Sequence, residues 1–234
     1  MKRRKTLVLA MAAAALTGTG IAGSAQAAAT VVVADWEMNE PAGASTMLDS
    51  GPNGLTGAIG TGLQTGVTYH GATGYLWAST NPNQPPTKPE RVIQVSSASL
   101  NPGTSDFAVT IRWRTTHSYG NLVQKGQNGA AGGYFKFEQP QGFMTCLFKG
   151  VEGQRAIKWP TATNDGEWHL VRCERTAAGL SMTIDGVTKR LYGAIGSISN
   201  TVPLTIGGKI NCDQVKITCD YYAGGIDYVR IEKG

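Results

Sequence analysis

Three groups of residues in this chain have types and spacings that can do chemistry. The first is acidic. Asp35 and Glu37 alternate in a strand-like segment and share one face, with Glu40 close behind. A pair of carboxyl groups about 5 to 9 Å apart is what glycosidic bond hydrolysis requires, one as acid and the other as nucleophile or base. Met38-Asn39 and Pro41 break the spacing to Glu40, so the segment reads as a solvated strand face. The second group centres on Asp227, which has the strand parity of Val229 and Ile231. Its carboxylate is therefore expected to be at least partly buried and to need partners, either backbone N–H groups or a hard cation such as calcium. The third group is aromatic. Pyranose rings are bound by stacking faces with nearby cations, acids and amides to fix the hydroxyls. Tyr75, Trp77, Tyr119, Trp159, Tyr221 and Tyr222 lie at predicted loop or strand ends, and Lys125, Lys136, Arg112 and Arg114 can line an outward sheet face. Trp36, Trp113 and Trp168 are assigned to the core. His70, His117 and His169 lack motif-level partners and no G-x-S-x-G elbow occurs, which argues against a nucleophilic triad. His169 alternates with Val171 and Cys173 and reads as a packed, hydrogen-bonded structural histidine.

The elements that must position these groups are strands. Glycine is abundant, charge is sparse, and turn signals recur at short intervals. Leu180, Met182 and Ile184 alternate with Ser181 and Thr183, the period of a sheet with one face buried. Asp185-Gly186 then supplies the positive φ values of a two-residue type I′ turn, so residues 187–191 are predicted to return antiparallel. Phe107, Val109, Ile111 and Trp113 alternate with Ala108, Thr110, Arg112 and Arg114, predicting a strand with both arginines facing outward. Further strands are predicted from Val31 to Met38, Tyr134 to Glu138, Phe143 to Phe148, Ile157 to Trp159 and Ile226 to Ile231. Residues 78–90 carry Pro82, Pro85, Pro86 and Pro89 and form a non-helical loop within the domain.

The stretch Asp165, Gly166, Trp168, His169, followed by the Ile184-Asp185-Gly186 hairpin, resembles the laminin G-like family of the concanavalin A-like lectin and glucanase superfamily. The resemblance covers about residues 30–233. It implies an all-β, jelly-roll β-sandwich of two antiparallel sheets, with the first and last strands, around Trp36-Glu37 and 225–231, side by side. It also implies a calcium site built from an acid near the last strand and groups from the first loops, here Asp227 with Glu40, Asp49 and Asn53. Glucanases of the superfamily carry Glu-x-Asp-x-(x)-Glu on one strand, which is absent. The segment 132–139, GGYFKFEQ, is superficially similar to a strand of alginate lyases, but the Gln-(Ile or Val)-His and Arg-(Ser or Thr)-Glu-Leu-Arg segments those enzymes need are also absent. The function implied is a non-catalytic, lectin-like module for a cell-wall or extracellular polysaccharide or a glycoconjugate. The alternatives are a divergent glycoside hydrolase or polysaccharide lyase, and an adhesive envelope protein that binds a surface protein.

Residues 1–27 read as a secretory signal peptide, with Lys2 to Lys5 as the basic region, Leu7 to Leu16 as the apolar region and Ala25-Gln26-Ala27 as the cleavage site. The mature domain is then 28–234, and a secreted location is expected. The net charge of +5 goes largely with that segment, since four of the 21 lysines and arginines lie in it and none of the 16 acids does. The near-neutral remainder argues against nucleic acid as a partner, and no later apolar run is long enough to insert in a membrane. Four cysteines in an exported chain favour disulfides over metal ligation. Counting alone allows three pairings. Cys212 and Cys219 can close a local loop, Cys146 and Cys173 can staple two strands, and the family resemblance points to this same pairing.

Overall fold

The computed structural model describes residues 30–79, 90–210 and 220–234. Most of the proline-rich loop, Cys212, Cys219 and residues 1–29, which hold the expected signal peptide, lie outside the described residues. In chain order the strands are β1 (Val31–Trp36), β2 (Thr46–Met47), β3 (Gly57–Ile59), β4 (Leu63–Tyr69), β5 (Ala72–Trp77) and β6 (Ile93–Val95). There follow β7 (Phe107–Arg114), β8 (Asn121–Lys125), β9 (Tyr134–Glu138), β10 (Thr145–Gly150) and β11 (Gly153–Lys158). The last are β12 (His169–Thr176), β13 (Gly179–Ile184), β14 (Val187–Tyr192), β15 (Leu204–Ile206) and β16 (Gly224–Lys233).

They form two antiparallel sheets packed face to face. Sheet A runs β14-β13-β12-β7-β16-β5-β4, with β1 also paired to β16; sheet B runs β11-β10-β9-β8-β15-β6-β3-β2. This is the expected jelly-roll sandwich. The first and last strands are paired, Trp36 opposite Val229. The β13–β14 hairpin has the expected register, Ile184 opposite Val187, with φ +48° at Asp185 and +85° at Gly186. Alternation explains the core between the sheets. Phe107, Val109, Ile111 and Trp113 of β7 are fully buried, as are Val171, Cys173 and Met182 from the neighbouring strands. Facing them from sheet B are Phe135, Phe137 and Phe148; the rings of Phe135 and Phe148 stack on each other and meet Phe107 tilted and edge-on. Trp36 and Trp113 are core residues as expected.

Cys146 of β10 and Cys173 of β12 form a disulfide. The staple joins one sheet to the other through the core, where the local pattern had shown only that it would join two strands.

Register shifts occur in β1, β4, β8 and β16, and two of them bear on the site. One lies in β1 between Val32 and Ala34, so that Val33 and Ala34 are both buried. The other lies in β16 between Ile226 and Tyr228 and makes Asp227 the extra residue of the pair with β7. Ile226 faces Trp113 in the core, whereas Tyr228 faces outward-pointing Arg112. Simple alternation through Val229 and Ile231 therefore predicted the wrong partners for Asp227: it is buried, but beside Arg112, not within the core.

Candidate functional site

Of the aromatic residues expected to bind ligand, only Tyr119 presents a large exposed surface, at 47%. Tyr75, Trp77, Trp159, Tyr221 and Tyr222 are buried and offer no stacking face. The physical reason is that a Tyr or Trp has an apolar body and one polar tip, and for Tyr75, Trp77 and Tyr222 this fold buries the body while satisfying the tip. Tyr75 donates to Glu40, Trp77 to the Arg91 carbonyl at 3.1 Å, and Tyr222 to the Arg114 carbonyl at 2.6 Å. Lys125 is likewise buried, while Lys136 is partly exposed and paired with Glu138 at 2.6 Å. Tyr119 donates to Asp220 at 2.9 Å. The expected ligand residues thus do not form one surface.

The four expected calcium ligands are also already committed. Glu40 accepts the Leu48 N–H at 2.6 Å as well as the Tyr75 hydroxyl. Asp49 accepts the N–H groups of Asp35, Gly51 and Leu55, organising the turn between β2 and β3 and tying it to β1. Asn53 donates its amide to the Val33 carbonyl at 2.8 Å. Asp227 pairs with Arg112, a cation where a metal would stand. Among the described residues no group of three or more His, Cys, Asp or Glu side chains is placed to hold a metal ion. As arranged, the four do not fit a calcium site.

The structure instead gathers an aromatic and charged groove on the outer face of sheet A. Trp168 precedes β12 and has the outward parity of Leu170 and Arg172, opposite to buried Val171 and Cys173. It lies over β7 and β16. Its indole N–H donates to the Tyr69 carbonyl at 3.3 Å, at the tip of the β4–β5 hairpin. The guanidinium groups of Arg112 and Arg114 stand 4.9 and 5.8 Å from its ring centroid, and Arg114 also lies against the ring of Tyr69. Gly225 forms the floor: a Cβ there would meet Trp168 Cη2 at 3.1 Å, tighter than an ordinary contact. His70, at φ +48° in the hairpin turn, stacks on Tyr69 with its centroid 4.0 Å away.

Beneath and beside this aromatic shelf are two hollows. A small one of about 100 Å³ includes Val67, Leu76 and Gly225 in its lining. A larger one of about 540 Å³ includes Glu37, Asn39, Thr73, Arg112, Asp227 and Tyr228. Asp227 is 7% exposed; one carboxylate oxygen pairs with Arg112, and the other, Oδ1, is buried without a hydrogen-bond partner. Burial raises its pKa above the ordinary carboxylate value, against the opposing pull of Arg112. Gly74 makes the space: a Cβ at 74 would stand 2.7 Å from the Asp227 Cβ. The arrangement provides a stacking surface and a forked cationic donor in one groove, with the Asp227 carboxylate buried at its foot.

The Asp-Gly motifs hold the shelf in place. The ring of His169 bridges two carboxylates, Nδ1 to Asp185 at 2.7 Å and Nε2 to Asp165 at 3.1 Å. Asp185 also accepts the Leu170 N–H at 2.9 Å, and Asp165 that of Glu167 at 2.9 Å. Burial opposes the imidazolium, but the two aspartates outweigh it and raise the His169 pKa; Asp165 is correspondingly lowered, first by its bond to the Glu167 N–H. His169 is thus the structural residue expected. Trp168 is not the core residue expected. The parity of its own neighbours, His169, Val171 and Cys173, carried the signal that it faces outward.

A family model described as Laminin G domain matches residues 113–233. Among solved structures, domain 4 of AbnA, a GH43 extracellular arabinanase from Geobacillus stearothermophilus, in complex with arabinotriose, is 14% identical, with a TM-score of 0.55 over 88% of this chain and 93% of that one. The binding domain of botulinum neurotoxin DC, in complex with SialylT, is 10% identical, with a TM-score of 0.55 over 86% of this chain and 46% of that one. Domains LG4-5 of the mouse laminin alpha1 chain are 17% identical, with a TM-score of 0.41 over 67% of this chain and 46% of that one. The chain thus spans less than half the length of the laminin and neurotoxin chains it matches. A search of curated protein sequences gives no match. The similarity to the arabinanase and neurotoxin domains is one of fold, the two-sheet sandwich. Since the family model covers more than half of the sequence, including the Trp168-His169 strand start, the Asp185-Gly186 hairpin and the last strand, the chain belongs to the laminin G domain family.

Proposed function

We propose that this protein is a secreted, non-catalytic glycan-binding domain whose site is the groove on the outer face of sheet A. The observation that carries the reading is the unpartnered Asp227 Oδ1, buried beside Arg112 at the foot of the Trp168 and Tyr69 shelf. An orphaned buried carboxylate oxygen costs about 1 to 3 kcal/mol, more for a charged group, and a ligand hydroxyl removes that cost once a side-chain shift of the groove wall uncovers it. Vicinal sugar hydroxyls match an acceptor and a guanidinium donor side by side, and a pyranose face matches the indole. The glycans carried by the arabinanase and neurotoxin domains support the class of ligand without specifying it.

The hydrolase alternative has one observation in its favour: Glu37 and Asp227 line the same hollow, and Asp227 has a raised pKa. It ranks second because Asp227 is paired with Arg112 and Glu37 accepts from the Asn39 amide at 3.0 Å, so both are held as acceptors. The test is retention of the oxidised full chain on insoluble polysaccharides and a glycan array, with product analysis in parallel. Trp168→Ala is expected to weaken retention at least tenfold while circular dichroism stays unchanged, in keeping with about 1.5 kcal/mol or more for a stacking aromatic. Retention unchanged by Trp168→Ala would exclude the groove. Release of reducing ends that disappears in Asp227→Asn would instead establish the hydrolase.

A further inference from the structure

Lys125 ends β8 at a position where lysine is costly. Its strand partners are Phe135 of β9 and Leu204 of β15, both fully buried core residues, so the register aims it between the sheets. It is 2% exposed. Its ammonium donates to the carbonyl oxygens of Val202 at 2.8 Å and Asn200 at 3.3 Å, and among the described residues no carboxylate pairs with it. Burial without a counter-charge pushes the ammonium down to about 8. Two neutral carbonyls only partly replace the water lost by a cation, and an apolar residue of similar length would fill the site at lower cost.

The lysine lines a hollow of about 500 Å³, within the range of small-ligand sites. Ser96, Ser97, Asn101 and Thr201 supply much of the rest of the lining, and among the described residues no acid contributes. A second cation without an ion-pair partner among the described residues reaches the same loop, since Lys233 donates to the Asn101 carbonyl at 3.0 Å. The hollow therefore combines a buried positive charge with short hydroxyl and amide groups and no negative charge. We infer that it is a second binding site, separate from the groove on sheet A, for a sugar acid whose carboxylate meets Lys125 and whose hydroxyls meet the Ser96, Ser97, Asn101 and Thr201 side chains. A single buried ammonium with no arginine in the lining matches a monoanionic carboxylate better than a phosphate dianion.

The experiment is nuclear magnetic resonance of the lysine side chains in the oxidised full chain. Lys125 is assigned by comparison with Lys125→Met, which keeps the apolar stem. D-glucuronate is titrated, with D-glucose and inorganic phosphate as controls. The expected result is a saturable shift of Lys125 and a rise of its pKa by about one unit at a tenfold excess over Kd. D-glucose should leave the signal in place, and Asp227→Asn should titrate like the wild type, which separates this site from the groove. Should Lys125→Met fail to fold, Thr201→Val at the exposed rim is expected to weaken glucuronate about fivefold. An unmoved Lys125 signal, a rise of equal size with phosphate, or glucuronate binding retained in Lys125→Met would each overturn the inference.

Discussion

Single side chains here act through the charges they hold in place, and His169 shows this most directly. Its two ring nitrogens tie the Asp165-Gly166 turn to the Asp185-Gly186 hairpin, and both contacts favour the imidazolium. A histidine with a folded pKa raised above the unfolded value of about 6.5 contributes stability that is complete below that pH and is lost as pH rises through the folded pKa. The thermal midpoint of the wild type is therefore expected to fall as pH rises above about 6.5, with a shallower fall in His169→Gln; parallel profiles for the two proteins would refute the linkage. Asp227 has the same sign in a more acidic window. Its raised pKa means that folding loses stability as pH rises from the unfolded value to the folded one, and protonation below the folded value removes the anionic acceptor from the groove. The residue scale is also where alternation misleads. A buried tyrosine and a ligand-stacking tyrosine have the same letter and similar neighbours, and only the position of a partner such as Glu40 beside Tyr75 separates them.

At the scale of elements, the decisive feature is the β16 bulge. One extra residue between Ile226 and Tyr228 turns Asp227 from a core position to the Arg112 face, and Gly74 on β5 supplies the room. A methyl group at 74 would meet the Asp227 Cβ and the Ile226 carbonyl oxygen, both at 2.7 Å. Gly74→Ala is expected to destabilise the protein by about 1 to 3 kcal/mol in urea unfolding and to weaken glycan retention in parallel. A stability equal to wild type would show that β5 and β16 have slack at this point. The loop before β12 acts in the same cooperative way: Gly166 donates its N–H to the Thr115 carbonyl at 3.0 Å, and Trp168 then spans from β12 to the β4–β5 turn.

For the whole molecule, the joining of two sheets around an aromatic core is secured by Cys146–Cys173, which closes a loop of 27 residues. Loop-closure entropy gives such a staple about 3.5 kcal/mol. Replacing both cysteines with alanine is expected to lower the thermal midpoint by roughly 10 °C in a domain of this size. Chelation with EDTA is expected to leave the midpoint unchanged, because Glu40, Asp49, Asn53 and Asp227 already have protein partners; a fall on chelation would restore calcium to the first loops. The sequence by itself determined what depends on local periodicity and turn chemistry. Alternation in 107–114 and 180–184, the Asp185-Gly186 turn and the Trp168-His169 motif were sufficient for strands, hairpin and family. The binding groove depends on contacts between strands far apart in the chain, and those only the tertiary structure decided. Tyr69, Trp168, Arg112 and Asp227 meet because β16 lies between β7 and β5, because a bulge reverses its parity, and because two glycines leave the space. No local pattern encodes a bulge's position across a sheet, since its stability comes from the partner strands it is packed against.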